Sequence, residues 1–286
     1  MKKLLFQFDT DATPSVFDTV IGHDGGADAV IPLPGMTALN CGPSVEGAIF
    51  TRAPKTKRFT ALFIGGSSVT DGEAVLNAVR EQFFGKFRVS VMLDSNGCNT
   101  TAAASVALLA KTRPLAQCKA VVLAGTGPVG SRAAALLAIE GANVHLTSRS
   151  LERSKSTCAS IAQRFNVQVH PSATPDSDAI AAALEGADLV LTTGPAGVEV
   201  LALDQWQHHP SLSLVADVST SAPPGIDGLD MVDRDTLRHG KRCFAGIGIG
   251  ALKLKIHRAC IAALFESNDR VLDAEAIYTI AKAHVA

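Results

Sequence analysis

Short apolar runs alternate along the chain with stretches whose apolar residues recur at helical intervals, and the two periods can be told apart by eye. Lys3 to Phe8, Ala29 to Ile31, Ala48 to Thr51, Thr60 to Gly65 and Phe87 to Leu93 read as strands, since each is a brief apolar run closed by turn-forming residues. A helix is expected after Asp11-Ala12-Thr13-Pro14, and a second from Thr70 to Phe84, where Val75, Leu76, Val79 and Phe83 share one helical face. The polar turn Asp94 to Thr101 feeds a helical run from Ala102 to Lys111. From Cys118 to about Gly250 the pattern becomes a regular strand-helix series, with strands near Ala120, Val144, Val167, Leu189 and Val215. Such alternation predicts a parallel sheet with helices on its faces. The glycines Gly246, Gly248 and Gly250 then open a helix running to about Ser267.

Within that series, Val121-Val122-Leu123-Ala124 breaks into Gly125-Thr126-Gly127-Pro128-Val129-Gly130, and a helical run follows from Ser131 to Glu140. Strand, glycine turn and helix in this order are the dinucleotide-binding fingerprint. Gly125 permits the turn, Gly127 lets backbone amides approach a pyrophosphate, and Gly130 lets the helix lie close to the strand. A helix start favours an anion. The bland alternative is a glycine-rich turn that only packs a helix on a sheet.

The second strand of the series decides which dinucleotide is expected. NAD enzymes place an Asp or Glu about 20 residues after the fingerprint, on the adenosine ribose. Here Asn143 to Thr147 leads into Ser148-Arg149-Ser150. A guanidinium with two hydroxyls suits a 2′-phosphate, so NADP is the expected cofactor. The alternative is a solvated arginine at the start of a helix. Further cofactor contacts are expected from Thr193, Gly194 and Pro195 after the fourth strand, from Asp217 at the end of the fifth, and from Gly246 and Gly248; for the loop at 193–195 a plain turn is an equal alternative.

Composition narrows the partners. The chain has 286 residues, 26 basic and 27 acidic, a net charge of −1, and one Trp with one Tyr. Neither nucleic acid nor an anionic membrane is the expected partner of so balanced a chain. Met1-Lys2-Lys3-Leu4-Leu5-Phe6 resembles a signal start, but Gln7 and Asp9 stop the apolar run. No stretch approaches the roughly 20 apolar residues of a membrane span, so a soluble cytoplasmic protein is expected. Six cysteines form no Cys-x-x-Cys pair and the histidines show no zinc spacing with them; buried reduced thiols and no metal are expected.

Four blocks carry a resemblance. Leu4 to Asp18, Asp94 to Thr101, Leu123 to Gly130, and Leu252-Lys253-Leu254-Lys255-Ile256-His257-Arg258-Ala259-Cys260 closely resemble the bacterial NADP-dependent methylenetetrahydromethanopterin dehydrogenases. The resemblance implies an α/β protein of two domains, amino-acid-dehydrogenase-like. Residues 113–257 would be a Rossmann-type doubly wound sheet, and 1–112 an N-terminal α/β substrate domain completed by 258–286. It implies oxidation of a methylene-bridged pterin to the methenyl form on tetrahydromethanopterin, with tetrahydrofolate as a further carrier, in a homo-oligomer, specifically a trimer. It also implies that Lys253 and Thr101 lie in the active site with His257 close by. Asp9, Asp18, Asp94 or Asn96 would bind pterin amino groups, although for each a purely structural role is the stronger reading. Ser150 stands where close relatives carry a basic residue, which weakens the case for strict NADP selectivity.

The chemistry is intelligible without a strong base: the methylene carbon sits between two nitrogens whose lone pairs stabilise the cation left when hydride departs. The protein must align two carbons and exclude water. Bifunctional folate enzymes that also hydrolyse the methenyl product use a tyrosine with a lysine one turn away, whereas the one tyrosine here, Tyr278, sits eight residues from the end of the sequence. A dehydrogenase without that second step is expected. Two rivals share the glycine turn: another two-domain NADP dehydrogenase of the shikimate type, and a non-catalytic NADPH-sensing module. Neither needs the polar turn at 94–101 or the Lys253/His257 face.

Overall fold

The structure, a computed structural model, describes residues 1–285. The chain divides into two compact units, one made of Met1–Thr100 with Leu254–His284, the other chiefly of Thr101–Lys253. In chain order the first unit supplies β1 (Leu4–Asp9), α1 (Val16–Asp24), β2 (Ala29–Leu33), α2 (Gly42–Phe50), β3 (Thr60–Gly65), α3 (Val69–Glu81) and β4 (Ser90–Leu93). Helix α4 (Cys98–Thr112) carries the chain into the second unit. There follow β5 (Lys119–Leu123), α5 (Pro128–Ile139), β6 (Asn143–Ser148), α6 (Leu151–Phe165), β7 (His170–Ala173) and α7 (Ser177–Leu184). The unit continues with β8 (Leu189–Thr192), α8 (Leu203–Trp206), β9 (Leu214–Asp217), β10 (Arg234–Arg238) and β11 (Lys241–Phe244). Helix α9 (Gly246–Leu264) returns the chain to the first unit, which ends with β12 (Val271–Leu272) and α10 (Ala274–Val285). The divisions fall between Thr100 and Thr101 in α4 and between Lys253 and Leu254 in α9, against expected boundaries at the end of α4 and four residues further along α9.

The first sheet is parallel throughout, in the order β12-β4-β3-β1-β2. From β1 the chain moves one way to β2 and then crosses to β3, so the winding reverses between β1 and β3. Ligands of doubly wound sheets bind outside the strand ends at such a reversal. β3 and β4 are buried along their length, as expected of strands covered on both faces. Pro32, which has no N–H to donate, lies in β2 at the edge of the sheet. The core gathers Phe8, Val45, Ile49, Leu62, Ile64, Val75, Val79, Val91 and Leu93.

Residues 48–51 are not the expected strand. They close α2, where Pro43 starts the helix and Val45, Ala48 and Ile49 are buried at helical spacing. The four-residue apolar window is misleading because the residues that set its period lie upstream. Lys57, fully buried, fastens the end of this helix: its ammonium donates to the carbonyls of Ile49 and, at 2.7 Å, Arg52.

The second sheet runs β10-β11-β9-β8-β5-β6-β7, parallel except for the β10–β11 pair. Its winding reverses between β5 and β8. Pro171 again lies in an edge strand, β7. That strand begins at His170 and not near Val167, because α6 ends on Asn166 in the left-handed region and the chain needs three residues to regain the sheet. The β10–β11 hairpin has no expectation behind it: Arg234–Arg238 is polar and largely exposed, so it has no apolar period. The signal available was His239-Gly240, both at positive φ in the two-residue turn. Among the described residues no helix is long and apolar enough to cross a membrane.

Candidate active site

In the second unit the glycine turn stands at the C-terminal end of β5, at the sheet's reversal. Ala124 takes a φ of 52° and Gly125 follows; a Cβ on Gly125 would lie 2.9 Å from side-chain carbons of both Leu146 and Val122. A Cβ on Gly130 would lie 2.4 Å from Thr193 Oγ1 and 2.5 Å from the Gly125 carbonyl. These two glycines are dictated by packing. At Gly127 a Cβ would meet nothing within 4 Å. That glycine is the N-cap of α5, with Pro128 beginning the helix and no side-chain cap. The first amides of a helix have no acceptor within it, so those of Val129 and Gly130 are the donors that an anion at this helix start would take up. The residues present therefore suit a dinucleotide pyrophosphate: two glycines close the turn and the third leaves room.

Across the reversal, Thr193 lies beneath this turn, its N–H donating to the Leu123 carbonyl at 3.1 Å and its hydroxyl to the Ala124 carbonyl at 3.3 Å. Gly194 is pressed against Val200, whose Cγ2 a Cβ would approach to 2.7 Å, and Pro195 begins the turn to Gly197. At the end of β6, Ser148 Oγ accepts from the Ser150 N–H, and Ser150 Oγ caps α6 by accepting from the Arg153 N–H. Arg149 is exposed between them, and Arg153, also exposed, follows one turn into the helix. Sequence reasoning did not weigh Arg153; its place three residues after a capping serine was the signal.

Asp217 is buried and fully engaged. Its Oδ1 accepts from Thr192 Oγ1 at 2.7 Å and Ser219 N–H at 3.1 Å, and its Oδ2 from Gly225 N–H at 2.7 Å. Burial pushes its carboxyl above the ordinary value despite these bonds. It fastens the 219–225 loop to β8 and β9, which leaves little of the carboxylate for a ligand. Gly246 and Gly248 are likewise sites of close backbone approach: a Cβ would come within 2.0 Å of the Ser219 carbonyl oxygen and 2.1 Å of that of Asp233. The Gly248 N–H donates to the Met231 carbonyl. Each of these three residues, expected at the cofactor, is occupied by contacts within the protein.

In the first unit the reversal brings together the ends of β1, β3 and β4. Asp9 is buried, with Oδ1 accepting from the Asp11 N–H and Oδ2 from the Ser15 N–H and Gln7 Nε2. Gly66, at a φ of +100°, passes so close to Thr10 that a Cβ would fall 2.0 Å from its hydroxyl. Asp18, half-buried, directs Oδ2 to within 3.3 Å of where a Cβ on Gly65 would stand. Asn96, at a φ of 53°, donates its N–H to the Gly66 carbonyl. Asp94 is not placed to meet a ligand: it is 1% exposed, its Oδ1 accepts from the N–H groups of Asn99 and Thr100, and its Oδ2 from Thr100 Oγ1 at 2.6 Å. The cap of α4 is thus Asp94, whereas Asn99 and Thr100 are the residues it caps.

His257 is 1% exposed and its ring stacks on Phe63 with centroids 5.3 Å apart. Lys253, one turn earlier on α9, and Thr101, at the start of α4, are half-buried. All six cysteines are buried and none is in a disulfide; burial lifts the Cys243 thiol to about 11.

Residues 16–96 match the family model "Methylene-tetrahydromethanopterin dehydrogenase, N-terminal". The chain is 53% identical over 283 residues to the Bifunctional protein MdtA of Methylorubrum extorquens, covering 98% of each. It is 32% identical over 246 residues to the NAD(P)-dependent methylenetetrahydromethanopterin dehydrogenase of the same organism, covering 83% of this chain and 82% of that one. Among solved structures, the fold is shared with quinate dehydrogenase from Corynebacterium glutamicum (TM-score 0.54, 15% identity, 98% of both chains). It is shared equally with 5-ketofructose reductase of Gluconobacter sp. strain CHM43 (TM-score 0.55, 15% identity, 99% of both chains). Those two likenesses establish the two-domain α/β architecture with a Rossmann-type sheet, while the full-length sequence relationship establishes more: the chain is an enzyme of the methylenetetrahydromethanopterin dehydrogenase family.

Proposed function

We propose that this enzyme removes a hydride from the methylene carbon of methylene-tetrahydromethanopterin, with NADP as acceptor, and that methylene-tetrahydrofolate is a second carrier. The observation that carries the cofactor assignment is the end of β6, where Ser148, Arg149 and Ser150 stand in place of a carboxylate beside a turn shaped for a pyrophosphate. The amides of Thr126, Gly127, Val129 and Gly130 would hold the pyrophosphate, Pro128 having none to offer, and Arg149 the 2′-phosphate. Thr193, Gly194 and Pro195 would border the nicotinamide ribose. When bound, NADP supplies the hydride acceptor.

Lys253 and Thr101 would orient the pterin, and Asp18 and Asn96, at the reversal of the first sheet, are the candidates for its amino groups. Both carriers set the reacting carbon between two nitrogens, so the residues need supply no general base; their work is alignment and exclusion of water. The shikimate-type alternative shares the fold, but the full-length relatives favour the pterin carrier. A homo-oligomer, by resemblance a trimer, is part of the same proposal. The test is a steady-state assay of NADP reduction with each methylene carrier. Turnover with either supports the reading, and cofactor binding without turnover on both would favour the sensing module.

A further inference from the structure

Asp94 and His257 meet inside the first unit. Asp94 lies at the end of β4, 3.9 Å by its Oδ2 from His257 Nδ1 on α9. The same carboxylate caps α4 through Asn99 and Thr100. Both side chains are 1% exposed or less. The imidazole is held by rings: Phe63 stacks on it at 5.3 Å and Phe17 lies tilted at 6.3 Å. Cys260, one turn beyond His257, has its thiol pushed up by burial and by the charge of Asp94. Asn99 joins the cluster to the C-terminal segment: its Nδ2 donates to the Leu93 carbonyl at 2.7 Å and to Asp273 Oδ1 at 3.1 Å.

We infer that Asp94 and His257 are a buried positioning pair that fixes α4 and α9 lengthwise, and through them Thr101 and Lys253, while neither side chain touches substrate. The inference rests on the assignment of those two residues to the pterin. Thr101 is the residue after the capped Thr100. Lys253 precedes His257 by four residues, roughly 6 Å along the same helical face. A helix moves as a rod, so sliding His257 carries Lys253 with it. A misplacement near 1 Å is enough to cost about 100-fold in rate. One carboxylate that caps the first helix and faces a ring on the second holds both in register.

His257→Phe is the informative variant, since it keeps a ring between Phe17 and Phe63 and removes Nδ1. The expected result is a folded enzyme whose KM for NADP stays within about twofold while kcat falls about tenfold or more. Amide exchange at residues 99–101 should accelerate. His257→Gln, which restores an N–H donor, should recover most of the kcat, and in urea melts adding His257→Phe to Asp94→Asn should cost no more stability than Asp94→Asn alone. Wild-type kcat together with wild-type exchange in His257→Phe would overturn the pair, as would a raised carrier KM at unchanged kcat, which would put His257 on the substrate. If the wild-type enzyme reduced no NADP with either carrier, the assigned reaction would fall, and the exchange measurement and the stability cycle would still decide whether the two residues are coupled.

Discussion

Arg149 is one exposed side chain, yet the choice between two cofactors is expected to turn on it. With no carboxylate at the end of β6 to bind a ribose hydroxyl, its guanidinium is the group suited to a 2′-phosphate. A preference for NADP over NAD of at least about tenfold in kcat/KM is expected, worth roughly 1.4 kcal/mol. Arg149→Ala should raise the KM for NADP and leave that for NAD nearly unchanged. Equal losses with both cofactors would reject the phosphate contact. Lys253 has the opposite signature. Lys253→Ala should lower kcat about 10-fold to 100-fold with little effect on NADP binding, because the lysine is assigned to the pterin. Full turnover with a weakened cofactor constant would place it on the dinucleotide instead.

At the scale of elements, the loop from Ser219 to Gly225 hangs on Asp217. Asp217→Ala leaves the N–H groups of Ser219 and Gly225 and the hydroxyl of Thr192 without this acceptor, at about 1–3 kcal/mol for each buried group. The pH dependence has a definite sign. Because burial raises the carboxyl in the folded state, the native protein binds the proton more tightly than the unfolded chain does. This residue's contribution to stability is therefore full below pH 3.8, the unpaired value, and is lost as pH rises through the raised one. The stability gap between wild type and Asp217→Ala should widen as urea melts are taken from pH 7 toward pH 4, and a gap that narrows would show the carboxyl to be lowered by its hydrogen bonds. None of this was visible in the sequence, where Asp217 is simply a carboxylate at a strand end and so was expected at the cofactor. Only one of its partners, Ser219, is a near neighbour in sequence; the other two are eight and twenty-five residues away. The glycine turn was legible because its chemistry is local: Gly125, Gly127 and Gly130 lie within six residues, and each does its work there. Asp94 carries the same ambiguity, since the structural role that is its stronger reading in the sequence and ligand binding both call for a carboxylate at the end of a strand. The β10–β11 hairpin escaped because an exposed edge strand need not alternate.

For the molecule as a whole, the question is whether the reaction ends at the methenyl cation. Hydrolysing that product requires a water activated against the cationic carbon, and the tyrosine and lysine that could serve are Tyr278 and Lys282, one turn apart on α10. Tyr278 is 2% exposed, and the Lys282 ammonium lies 4.9 Å from the centroid of its ring. That is a cation resting on an aromatic face, an arrangement that packs the terminal helix. A buried phenol is poorly placed to activate a solvent-derived water. Hydride transfer needs no such pair, because the two nitrogens flanking the reacting carbon already stabilise the charge, and water is what the site must keep out. The methenyl product should therefore accumulate. Its absorbance is to be followed after NADP is added to enzyme and methylene carrier near neutral pH, and the mixture then assayed for the formyl derivative. Tyr278→Phe should leave the rate of methenyl formation within about twofold of wild type, a difference too small to signal loss of a transition-state contact. Formyl production above the spontaneous rate, abolished by Tyr278→Phe, would make α10 part of a second active centre and overturn the single-step reading.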